Sequence, residues 1–143
     1  MTAELAFERS GPERIYSSVV LIDAWLAHVE RSGRKSEMTT ALVGQLTAEL
    51  ATLRALSIAV TARLVAGESP VTEASLIKDL GTAFEQLVPV LIADDLGRHP
   101  DEVIDLELAR TLAYVSAMAP SLDRKSTRLN SSHRNTSRMP SSA

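Results

Sequence analysis

From Ile15 to Met118 the apolar residues recur every three or four positions and nowhere settle into alternation, so the chain can bury them only as helices packed side by side. Ile15, Val19, Ile22, Leu26 and Val29 step by four, three, four and three, which predicts one stripe of a first helix. Ser10 and Glu13 have the spacing of a capping box at its start. Pro12 falls in the first turn, where its missing N–H costs nothing, and Gly33 is placed to close the helix in a left-handed conformation. Leu42, Leu46, Leu50, Leu53, Leu56, Val60 and Leu64 predict a second helix of about 28 residues, roughly 40 Å long, ending at Gly67. Ser69 and Pro70 offer a cap and a first-turn proline for a third helix. Its row, Leu76, Leu80, Phe84, Leu87 and Leu91, runs to about Asp95. Pro89 inside that row should kink or locally unwind the helix. Gly97-Arg98-His99-Pro100 is a break, after which Val103, Ile104, Leu108, Leu112, Val115 and Met118 predict a fourth helix, stopped at Pro120. The expected fold is therefore all-α, an antiparallel up-down four-helix bundle whose leucine rows are core.

Residues 123–143 have a different character. Their order matches a sequencing adapter translated in one frame: one constant string supplies Asp123 to His133 and a second supplies Ser137 to Ala143. Arg134, Asn135 and Thr136 stand where a variable index would lie. A natural Ser/Arg tail that binds nucleic acid is the alternative that composition alone allows. The expected organisation is thus a lead-in over 1–9, a helical bundle over 10–122 with its last helix truncated, and a non-native, disordered tail over 123–143. The whole chain has fifteen Lys and Arg against eighteen Asp and Glu, a formal net charge of −3. Setting aside the tail's five basic and one acidic residue leaves ten against seventeen, or −7, a poor match to a phosphate backbone; nucleic acid is not an expected partner. There is no Cys, which removes disulfides and thiolate metal sites and suits a cytoplasmic location. No apolar run approaches the roughly 18 to 20 residues of a membrane span, and Met1-Thr2-Ala3-Glu4 lacks the order of a signal peptide.

Three stretches carry a family likeness. The run Ala62-Arg63-Leu64-Val65-Ala66-Gly67-Glu68-Ser69-Pro70-Val71-Thr72-Glu73-Ala74-Ser75-Leu76-Ile77-Lys78 resembles the junction between the second and third helices in the C-terminal domain of acyl-CoA dehydrogenases, where a helix opens with Glu-Ala-Ser-x-x-Lys. Gly11-Pro12-Glu13-Arg14-Ile15 is similar to that family's entry into the same bundle. Ala113 to Leu122 resembles the stretch before its closing Arg-Gly-Gly-Thr-x-Glu-Ile motif, which is absent here. In order and spacing the likeness spans residues 5–122.

That resemblance implies a fragment of an FAD-dependent enzyme that introduces an α,β double bond into an acyl-CoA thioester, inactive as an isolated chain. In the family a carboxylate takes the α-proton in a dry pocket while the β-hydrogen leaves as hydride to the flavin. In one branch the base is the Glu of a Glu-Arg pair at this helix start, a position that Glu13 matches, and Arg14 matches an arginine on the CoA side. In the other branch the base lies in the missing C-terminal segment. A capping role for Glu13 and a solvated first-turn role for Arg14 are the structural alternatives. The resemblance also implies homo- or hetero-oligomers built through the bundle. Where many members carry an Arg-x-x-Phe-Gly segment that reaches a neighbouring subunit's FAD, this chain reads Gly33-Arg34-Lys35-Ser36-Glu37-Met38. The competing function is a non-catalytic helical module, such as a cofactor-less partner subunit of a heteromeric dehydrogenase.

The remaining polar residues read as structural. Glu73 and Lys78 are five apart, a poor spacing for pairing with each other, and suit the bundle surface or an interdomain contact. His28 lies beside the first stripe and His99 in a Gly/Pro loop, and neither has the companions of a metal site, so no metal is expected. Asp94-Asp95 and Asp101-Glu102 flank the last loop, the second pair capping the fourth helix.

Overall fold

The computed structural model describes residues 16–119, which form four α-helices and, among the described residues, no strand. Helix α1 spans Tyr16–Ser32, α2 Glu37–Val65, α3 Val71–Gly97, and α4 covers 106–119. The described residues make an all-α up-down four-helix bundle in which α3 packs against both α1 and α2.

The helix ends follow local chemistry. Gly33 takes φ 65° and closes α1, its N–H reaching the Glu30 carbonyl at 3.1 Å. Ser36 caps α2 by accepting from the Thr39 N–H at 3.3 Å. At its far end Gly67, at φ 82°, donates to the Leu64 carbonyl and Glu68 to the Arg63 carbonyl, both at 3.0 Å. That pair of bonds is a Schellman closure, and it needs a residue that tolerates positive φ. Pro70 stands one place earlier than expected: it is the N-cap of α3 rather than a first-turn residue, and its carbonyl accepts from Ala74. At Pro89 the expected local unwinding does not occur. α3 continues through it to Gly97, with Pro89 itself buried; a proline removes one ladder bond without obliging the rest of the helix to open.

Two core faces differ from the sequence reading. On α1 the buried residues are Ser18, Leu21, Trp25 and His28, with Ile22, Leu26 and Val29 flanking them. The helix is turned so that the polar tips of Trp25 and His28 reach partners. On α3 the buried face carries Ala74, Ile77, Phe84, Val88, Ile92, Asp95 and Leu96, whereas Leu76, Leu80 and Leu87 are exposed. α3 is apolar around much of its girth, so spacing alone does not choose the inward side. α4 begins later than expected: Val103 and Ile104 precede it and are exposed, and Leu108 and Val115 carry its burial. Asp105, not Asp101 or Glu102, stands at its head, its carbonyl accepting from Ala109 at 2.9 Å.

Along α2 the fully inward residues, Thr39, Leu46, Leu53 and Val60, are spaced by sevens, the repeat that keeps two long helices in continuous contact. The main core joins Leu21, Trp25, Leu46, Leu53, Phe84, Val88, Ile92, Leu96, Leu108 and Val115 from all four helices. A separate small cluster, Val60, Ala74 and Ile77, holds the far half of the α2–α3 hairpin. The lengths explain this division. α2 and α3 have 29 and 27 residues, about 40 Å each, while α1 has 17, about 25 Å, so the hairpin outreaches its neighbour.

Candidate functional site

Polar side chains converge at the end of the bundle where α1 finishes, α2 starts and α3 hands over to the 98–105 connection. At its centre the Asp95 carboxylate is 1% exposed. Oδ2 accepts from the Trp25 indole Nε1 at 3.0 Å and from Arg34 Nη2 at 2.7 Å, and Oδ1 accepts from the Thr39 hydroxyl at 2.8 Å. One buried anion is thus satisfied by an indole from α1, a guanidinium from the α1–α2 turn and a hydroxyl from the first turn of α2. Burying a charge is costly unless it is paired and hydrogen-bonded, and here both conditions are met.

The second tier is His28, 3% exposed. Its Nδ1 lies 3.1 Å from Asp105 Oδ2 and its Nε2 lies 3.4 Å from Glu102 Oε2. Asp105 also accepts from Arg31, through Nε at 3.2 Å and through Nη2. The hydrogen bond from Arg31, and after it the one from His28, holds the Asp105 carboxyl below the usual aspartate range. Arg31 is correspondingly raised by its bond to Asp105. Arg34 Nη1 is 3.6 Å from Glu102 Oε2, too long for a hydrogen bond. Four buried atoms around this point, His28 Nε2, Arg34 Nε, Arg34 Nη1 and Glu102 Oε2, have no hydrogen-bond partner.

This arrangement joins α1, α2, α3 and the 98–105 connection through charged hydrogen bonds and ion pairs. Among the described residues no group of three or more His, Asp or Glu side chains is placed to hold a metal ion. A second feature is an apolar cleft of about 380 Å³ between α2 and α3, lined by Leu53, Leu80, Ala83, Phe84 and Leu87 with Glu49 and Thr52 at the edge.

The sequence-derived candidates divide sharply. Glu13 and Arg14 lie outside the described residues, as do the Ser10 cap, Pro120 and the segment 123–143. Glu73 is on the surface of the α2–α3 junction, paired with Arg63, which also binds Glu68 at 2.7 Å. Its carboxyl is lowered first by its backbone hydrogen bond in the opening turn of α3 and then by Arg63. His99 sits half-buried in the 98–105 connection, its carbonyl accepting from the Glu102 N–H at 3.1 Å, and Asp94 pairs with Arg98 on the exposed end of α3. The Asp95 network itself went unread in the sequence, although two signals pointed to it: a tryptophan inside the apolar stripe of α1, and an aspartate where the apolar run of α3 should continue. No protein-family model, curated sequence or solved structure matches the chain.

Proposed function

We propose that this bundle is the C-terminal helical domain of an FAD-dependent acyl-CoA dehydrogenase, a piece that takes part in α,β-desaturation of an acyl-CoA thioester only within its intact parent. The observation that carries this reading is the α2–α3 junction. The stretch Ala62–Lys78, which resembles the family's junction in sequence, folds as a long helix closed by Gly67 with a second helix opening at Val71. The Glu of its Glu-Ala-Ser-x-x-Lys signature is tied back across the turn to Arg63. Exposed Leu76, Leu80, Leu87 and Val90 on α3 also suit a domain that belongs against other protein surface, in a homo- or hetero-oligomer.

A second reading, the cofactor-less partner subunit of a heteromeric dehydrogenase, draws on segment 33–38. Arg34 there is turned inward onto Asp95, and Ser36 is spent as the α2 cap. With Arg34 and Ser36 so engaged, this segment favours a subunit that does not make the family's flavin contact from this place, and no step is assigned to it. The test is to extend the reading frame in both directions from source DNA and purify the whole parent. A yellow protein whose absorbance near 450 nm bleaches anaerobically on addition of an acyl-CoA supports the first reading. A colourless chain that co-purifies with a flavoprotein supports the second. A parent with neither flavin nor flavoprotein partner rejects both.

A further inference from the structure

The 98–105 connection is fastened to the rest of the bundle in part through His28, both of whose ring nitrogens face carboxylates of that connection. The cations are Arg31 from α1 and Arg34 from the α1–α2 turn; the anions are Asp95 from α3 and Glu102 and Asp105 from the connection. Two positive charges thus face three negative ones in a region where Asp95, His28 and Arg34 are nearly or wholly out of solvent. From α4, Glu107 adds a further acidic group near Arg31, as Glu30 does on α1. Both ring nitrogens of His28 point at carboxylates, 3.1 Å to Asp105 and 3.4 Å to Glu102. A neutral imidazole can donate from one nitrogen only; an imidazolium donates from both. With the proton on Nδ1, the bare Nε2 is left facing the buried Glu102 Oε2, which has no hydrogen-bond partner; with it on Nε2, the bare Nδ1 is left facing Asp105.

We infer that the 98–105 connection is a proton-gated latch, closed when the His28 imidazolium supplies the cluster's third positive charge and slackened when the ring is neutral. Histidine is the side chain suited to such a change near neutral pH. The latch spans α1, the connection and the head of α4, so its release loosens the first turn of α4, where Ala109 bonds to Asp105. It depends on no assignment of enzymatic activity.

The experiment is hydrogen exchange by mass spectrometry on the full chain between pH 6 and 8.5, corrected for intrinsic rates, beside a ring-nitrogen NMR titration of His28. The expected result is a fall of about tenfold or more in protection of residues 102–109 as pH rises, in step with loss of the His28 ring proton. In Glu102→Gln the anion that demands the charge is gone, and less than half of that fall remains. His28→Gln loses it entirely, and His99→Gln behaves as wild type. The inference is overturned if His28 stays a single neutral tautomer throughout, if wild-type protection is flat, or if Glu102→Gln retains the full change. Should His28→Gln fail to fold, the titration and Glu102→Gln still decide.

Discussion

Replacing Asp95 by Asn tests the central joint most directly, because it keeps the shape and removes the charge. Asp95 takes three donors: the Trp25 indole, the Thr39 hydroxyl and the Arg34 guanidinium, whose side chain is 5% exposed. The amide retains one acceptor oxygen, so at best part of this set survives, and Arg34 is left as a buried cation without its counter-ion. Breaking a buried pair from one side costs about 3–5 kcal/mol, and stranding an indole or hydroxyl donor adds about 1–3 kcal/mol. A domain of this size has a total of about 5–15 kcal/mol, so Asp95→Asn should remove a large share of it. Urea unfolding followed by far-ultraviolet circular dichroism, and by the fluorescence of Trp25, the one tryptophan in the chain and fully buried, gives the loss. The slope with denaturant should stay constant while the midpoint falls. Adding Arg34→Met should restore part of the stability, since the unpaired cation goes with its partner. A loss under about 1 kcal/mol for Asp95→Asn, or simple additivity of the two changes, would refute the view that this buried pair fastens the helices together.

Four further outcomes follow from the same structure. Asp105 is held below its usual range first by Arg31 and then by His28, so its contribution is present above the ordinary aspartate value, about pH 3.9, and is lost as pH falls through the lowered folded value. Arg31→Gln should accordingly flatten the acid limb of the stability curve below about pH 4, read by circular dichroism. Leu46→Ala, in the shared core, should cost about 2–5 kcal/mol in urea unfolding, whereas Leu76→Ala, 55% exposed, should stay within about 0.5 kcal/mol. Gly67→Ala should cost about 1–2 kcal/mol, because φ 82° is open to glycine and strained for alanine, and the measurement is again the urea midpoint. In the intact parent, Glu13→Gln should lower turnover at least about 100-fold with the flavin spectrum unchanged if Glu13 is the base, and leave turnover near wild type if it is a capping residue.

Helix punctuation was legible in the sequence because it is local. Gly33, Gly67 and the Gly97–Pro100 break act through their own backbone, and the structure ends helices at each of them. The inward row of α2 was legible because Leu46, Leu53 and Val60 belong to the one row that gathers most of its leucines. α3 was not, since Leu76, Leu80 and Leu87 are as apolar as Ile77, Val88 and Ile92, and what selects between the two sides is Asp95 meeting donors 56 to 70 positions away. The head of α4 was misplaced for a related reason: Val103 and Ile104 continue the helical spacing, but Glu102 and Asp105 are drawn back toward His28. Of the site candidates, the sequence reading concentrated on Glu13 and Arg14, outside the described residues, whereas the structure gathers chemistry around His28, Arg34 and Asp95.

The unequal lengths of the helices give the hairpin two mechanical halves. Near its root, α2 and α3 are clasped by two further helices and an ionic joint; beyond Leu56 the small Val60–Ala74–Ile77 cluster and the Gly67 closure hold the pair. Thermal opening therefore starts at the 64–71 tip and travels toward the root, and a surface that settled on Ile58, Leu76 and Leu80 would stiffen the arm from its free end inward.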